Sequence, residues 1–172
     1  LQNEIIEIGL AILSPQYELI HSQGWFVKPV QNPILSDFCK TLTTITQADV
    51  DSAKTFPEVM PDVESTIQRI TNSPVKDALF ISWGNYDRKQ FLYDCELHHY
   101  PYPFGEHMNL KKEFSKLHKL KNYGMNTALN HLKIPLEGTH HRGLDDALNI
   151  AKIFQRMRES LPLNPTRGGH IQ

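Results

Sequence analysis

The chain has 172 residues, 40% of them apolar and 22% charged, enough for one domain with a sizeable core and well removed from disordered composition. Lys and Arg number 18 against 19 Asp and Glu, which excludes binding nucleic acid by bulk positive charge but leaves room for a local phosphate site. Cys39 and Cys95 fit neither a disulfide scaffold nor a zinc spacing, no apolar run reaches membrane-span length, and the first residues follow no signal-peptide pattern, so reduced thiols, a cytoplasmic location and no membrane partner are expected.

The run Glu4 to Leu13 is rich in β-branched residues and reads as a strand in a largely buried sheet. Ser14-Pro15 makes a turn, and Tyr17 to Val27 reads as its antiparallel partner, interrupted at Gly24. Residues 29–61 are loop-like, with short turns near Ser36 to Lys40 and a short helix after an N-capping Thr46. A longer helix starts at Pro57 or Asp62 and runs to Ile70, with Val59, Val63, Ile67 and Ile70 as its stripe. Ala78 to Trp83 predicts a central strand, and Tyr86 to His99 a helix. After a rigid connection holding Pro101, Pro103 and Gly105, a short strand at 108–110 and helices over 111–120, 126–132 and 143–159 complete the pattern. Residues 1–160 read as a single domain and 161–172 as a flexible C-terminal tail. The class is α/β, with a mixed sheet flanked by helices.

The segment His140-His141-Arg142-Gly143-Leu144-Asp145-Asp146 opens the last helix. Leu144, Ala147, Leu148, Ala151 and Phe154 form its core stripe, and Asp145, Asn149, Lys152 and Arg156 share the opposite polar face. Asp146 aligns with Ile150, Ile153 and Met157, so its carboxylate is directed at the protein body and needs a partner such as a metal ion. The plainer account of either Asp is an acid favouring a helix N-terminus. His141 has the chemistry of a metal ligand or a general base. Asp87, just past the C-terminal end of an apolar strand, stands where open α/β sheets build their sites, although it also suits a helix start.

Four segments carry a resemblance: Asn3 to Gly9, Ser36 to Gln47, Ser82 to Asp87, and His141 to Asp146. Their ordered series resembles the DEDDh family of 3′–5′ exonucleases with an RNase H-like fold, in the branch of KapD-like and enhanced-RNAi exonucleases. The resemblance covers Asn3 to about Phe154. It implies four carboxylates and a histidine around two divalent ions, Mg²⁺ or Mn²⁺, which promote in-line attack on the terminal phosphodiester. Asp87 matches the second-motif acid, His141 the general base and Asp146 the last metal ligand. The implied partners are single-stranded RNA or DNA 3′ ends, RNA favoured, with nucleoside 5′-monophosphates as products. Phe38 and Tyr86 fall in motif segments and offer faces for base stacking, or else serve as ordinary core aromatics. The five Lys between Lys111 and Lys121 suit a phosphate track less well than a solvated helix face.

Two departures stand out. The family's Asp-x-Glu pair sits on a strand preceding Glu4, so a first strand and the remaining ligands are expected upstream of Leu1, and the 172-residue chain by itself is expected to be inactive. Thr44 replaces a usual Gly. The rival readings are a catalytically inactive nuclease fold that binds or regulates, and a zinc protein built on His98-His99 and His140-His141. The second fares poorly, because adjacent histidines point in different directions.

Overall fold

The opening apolar run forms β1 (Glu7–Leu13), paired antiparallel with β2 (Leu19–Phe26) from Glu7↔Phe26 to Leu13↔Leu19. Ser14 Oγ accepts from the Gln16 and Glu18 N–H groups and closes the hairpin. Gly24 does not interrupt β2: it pairs with Gly9 in register. The computed structural model describes residues 3–121 and 123–161, and the backbone of His170 and Ile171.

Beyond the hairpin, α1 (Asp37–Thr43) replaces the turns expected near Ser36 to Lys40, and α2 (Gln47–Asp51) is the short helix expected after Thr46. Each has a hydroxyl at its N-cap: Ser36 accepts from Cys39 N–H, and Thr46 accepts from Asp49 N–H. Next comes α3 (Phe56–Thr71), which tolerates Pro57 because the second helical position has no N–H partner to lose. The chain then enters β3 (Leu79–Ser82), α4 (Tyr86–Leu97) and β4 (His107–Asn109), the last parallel to β3. Three further helices follow: α5 (Leu110–His118), α6 (Met125–His131) and α7 (Gly143–Met157).

The expectation of one continuous mixed sheet needs correction. The hairpin β1–β2 and the parallel pair β3–β4 are two small sheets, bridged only by the dipeptide β5 (His170–Ile171). It runs antiparallel to Ile12 and Leu13 of β1 and parallel to Leu79 and Phe80 of β3. Among the described residues, this two-residue strand pairs with one end of each edge and the rest of the interval holds no ladder. The rest of the expected tail, residues 162–169 and 172, lies outside the described residues.

β1 is buried on both faces. Ile8, Leu10 and Ile12 pack with Phe56, Val63 and Ile67 of α3, while Ala11 and Leu13 face Ile150, Phe154 and Met157 of α7. Each fully buried Leu or Ile contributes about 1.5–3 kcal/mol. The three-layer arrangement, α3 and α4 on one side and α5 to α7 on the other, brings the N-terminal ends of α4 and α7 to the same end of the sheet.

The buried face of α7 is rotated from the expected stripe. Ile150, Ile153 and Met157, read as a flank, are core, and Leu144 and Leu148 are only half-buried. Asn149, expected on the solvent face, is fully buried. Its amide donates to Glu137 O (3.0 Å) and its Oδ1 accepts from Glu137 N–H (2.8 Å), so the side chain stands in for a strand partner to the preceding loop.

Candidate active site

A cleft of about 250 Å³ opens between the edge of β1 and the start of α4 and α7. Glu7, Tyr86, Asp87, His141 and Asp146 line it. Four of the five residues singled out in the sequence therefore have two elements' worth of neighbours in common here: Asp87 and Tyr86 from α4, His141 and Asp146 from the entry to α7. Phe38 is not among them. It stands on the solvent side of α1, 76% exposed, and only the far end of that helix, at Thr43, reaches the cleft. Tyr86 is 64% exposed, so neither aromatic is a core residue.

Asp87 is placed by the turn that ends β3. Ser82 Oγ donates to Gly84 O (3.0 Å) and meets His107 Nε2 at 2.7 Å, tying the turn to β4. Gly84 has φ +96°, and a Cβ there would meet nothing, so the backbone conformation and not space requires glycine. The Asp87 residue is open to solvent on its outer side. The protein packed around its carboxyl, and then the Asp146 carboxylate, push its pKa up to about 6.

Asp146 is placed by a network at the α7 N-terminus. Its Oδ1 accepts from the His141 N–H (3.2 Å), and burial raises its pKa against the opposing pull of His140. Asp145 does something else. Its carboxylate accepts from Thr139 N–H (2.8 Å) and fills the space beside Gly138, which has φ +64°. It anchors the loop and does not line the cleft.

Two residues carry positioning work that sequence reasoning passed over. Glu7 lies on β1, its side chain 8% exposed, and accepts from Arg142 Nη2 (3.0 Å), Arg142 Nε (3.2 Å) and the Gly143 N–H. The guanidinium also sits over the Phe26 ring at 5.4 Å. Because α7 has no side-chain cap of its own, a strand carboxylate supplies one. A glutamate inside an otherwise apolar strand was the available signal, since a buried charge needs a partner.

The expectation that adjacent histidines diverge fails at His140-His141. Their rings lie 3.9 Å apart, centroid to centroid, because His141 takes a left-handed backbone, φ +71°. The basic stretch follows the plainer reading: its lysines lie on or after α5 away from the cleft, with Lys116 paired to Glu113 at 3.7 Å.

Comparison with known proteins agrees with this geometry. A family model described as "Exonuclease", RNase_T, matches residues 1–154. The "Probable 3′-5′ exonuclease KapD" of Bacillus subtilis (strain 168) is 32% identical over 181 residues, covering 98% of this chain and 82% of that protein. The "3′-5′ exoribonuclease 1" of Homo sapiens is 33% identical over 161 residues, covering 90% of this chain but 46% of that protein. The chain thus spans less than half of the human relative. Among solved structures, the nuclease domain of 3′hExo, described as a DEDDh family member bound to rAMP, superimposes with a TM-score of 0.81 at 31% identity, covering 91% of this chain and 82% of that one.

Proposed function

The chain belongs to the DEDDh, RNase T-like family of 3′–5′ exonucleases, and from that premise we propose that it hydrolyses the 3′-terminal phosphodiester of single-stranded RNA in preference to DNA, releasing nucleoside 5′-monophosphates. The observation that carries this reading is the meeting of Asp87, Asp146 and His141 in one cleft.

The donor set fits the divalent ions that the family implies. Asp87 and Asp146 come from different helices, face one cleft, and raise each other's cost of ionisation. Two carboxylates so placed favour a hard cation between them. Bound there, Mg²⁺ or Mn²⁺ supplies Lewis-acid polarisation of the phosphate and a more acidic water. Asp87 and Asp146 are the ligands this chain provides. His141, exposed at the cleft mouth, takes the proton of the water that attacks phosphorus as the P–O3′ bond breaks. Tyr86, in the cleft lining, offers an exposed ring face to the terminal base, and Phe38, outside the lining, could meet only bases beyond it, an interaction that tolerates any base. The preference for RNA draws on the human exoribonuclease and the rAMP-bound relative.

The interval between β1 and β3 suits the strand that bears the family's Asp-x-Glu pair. β5 already runs antiparallel to β1 and parallel to β3 at one end of it. A strand from upstream of Leu1, laid in the same sense, would extend past Gly9 toward the cleft and add its two acids there. In protein that includes this strand, Asp87→Ala and His141→Ala should each cut Mn²⁺- or Mg²⁺-dependent shortening of a 3′-labelled oligoribonucleotide by at least about 10²-fold. Unchanged shortening in either variant refutes the assignment. Binding of the oligonucleotide with no cleavage by the unmutated protein would favour the inactive-fold reading.

A further inference from the structure

Consecutive side chains of an extended segment project to opposite sides, so neighbouring histidines do not ordinarily share a ligand. At His141 the left-handed backbone reverses the chain and sets its ring against that of His140. The carboxylate of Asp146 completes the group: one ligand atom from each of the three residues lies within 4.8 Å of the others. His140 Nδ1 is shielded from solvent and lies 3.3 Å from Asp146 Oδ1. Two atoms bound to a tetrahedral zinc, with bonds of about 2.0–2.1 Å, stand about 3.3 Å apart. The spacing of this pair is already that of two ligands on one ion.

We infer that His140, His141 and Asp146 form a Zn²⁺ site at the mouth of the cleft, and that Zn²⁺ held there inhibits the protein by occupying His141 and Asp146. The ligand set decides the ion. Two imidazoles and one carboxylate suit zinc or cobalt, whereas Mg²⁺ takes oxygen ligands and keeps much of its water. His140 is the discriminating residue, since it adds a nitrogen donor that the hard-ion chemistry does not use. Three protein ligands leave a fourth position open to water or to a phosphate oxygen. The inhibitory role rests on the function proposed above. The binding site does not.

The test measures Zn²⁺ and Mn²⁺ affinity by titration calorimetry, with Co²⁺ as an optical probe, for the unmutated protein, His140→Gln and the control His99→Gln. One Zn²⁺ should bind, and Co²⁺ should give a visible band of a nitrogen-ligated ion. His140→Gln should weaken Zn²⁺ by more than about tenfold, because even outer partners of a metal site are worth that much. Its Mn²⁺ affinity should not change, and His99→Gln should match the unmutated protein. Should His140→Gln fail to fold, Zn²⁺ protection of His140 and His141 from carbethoxylation, read by mass spectrometry on the unmutated protein, answers the same question. Equal Zn²⁺ affinity with and without His140, or no protection, overturns the site. Mg²⁺-supported shortening that Zn²⁺ leaves untouched overturns the inhibition and spares the nuclease reading. In protein that includes the Asp-x-Glu strand, intact His140-dependent Zn²⁺ binding with no shortening in any metal supports the site and refutes the nuclease reading.

Discussion

Thr44 ends α1 with φ +64°, a left-handed conformation that crowds a β-branched side chain against its own carbonyl. The Gly usual at this family position is explained by that angle, and the local backbone is the one Gly would take. Thr44→Gly should therefore stabilise the fold by about 1 kcal/mol after the greater freedom of an unfolded glycine is counted. A thermal midpoint raised by about 2–4 °C is the expected reading for a chain of this size, and a lowered midpoint would mean that the 3.5 Å contact from Arg142 to Thr44 Oγ1 matters more than the strain. A place in the cleft was legible where a motif fixes both type and spacing, as at Asp87, His141 and Asp146. It was not legible at Glu7, whose partner Arg142 lies 135 positions away. Nor was it legible at Asn149, where a polar residue at a helical position reads as solvent-facing until a loop arrives to use both ends of its amide.

The junction of β1 with α7 depends on two glycines. A Cβ on Gly9 would lie 2.0 Å from the carbonyl of Gly143, so strand and helix touch backbone to backbone. Gly9→Ala should push the first turn of α7 outward, with a cost of about 1–3 kcal/mol typical of overpacking. It should also weaken metal binding at Asp146 more than at Asp87, because only Asp146 rides on that turn. Calorimetric Mn²⁺ titration of Gly9→Ala and of Gly9→Ala/Asp146→Asn checks this: the double variant should bind no more weakly than Asp146→Asn alone. Most elements were readable in advance because their signals are local. Thr46 caps α2, the Val59–Val63–Ile67 stripe marks α3, and the apolar run before Trp83 marks β3. The face of α7 was off by part of a turn. Two apolar flanks competed there, and only the packing of β1 against Ile150 and Phe154 selects between them.

Across the molecule, His107 ties β4 to the end of β3. It meets Ser82 Oγ at 2.7 Å and packs edge-on to Phe80, and burial holds its pKa below the ordinary histidine value, with help from the Arg88 charge. The folded protein thus takes up this proton less readily than the unfolded chain. The stabilisation is complete above about pH 6.5, the unfolded value, and is lost as the pH falls below it. The carboxylates of Asp87, Asp94 and Asp146 are shifted upward, so they favour the fold on acidification and oppose this trend. A difference measurement separates the two. The gap in urea midpoint between the unmutated protein and His107→Gln should narrow from pH 7.5 to pH 5.5, and a gap that stays constant would show that His107 titrates normally in the fold.

The α/β class and most of its elements followed from the sequence by itself, and the motif series singled out Asp87, His141 and Asp146, because periodicity, capping and motif spacing act within a few residues along the chain. Tertiary structure alone decided the rest. It split the sheet into two pieces bridged by His170–Ile171, drew Glu7 to the start of α7, and turned His140 and His141 to the same side over Asp146. Those outcomes depend on a ladder between distant strands, a buried charge finding its partner, and one left-handed residue. Each is settled by what surrounds the residue in space and leaves no periodic trace in the order of the chain.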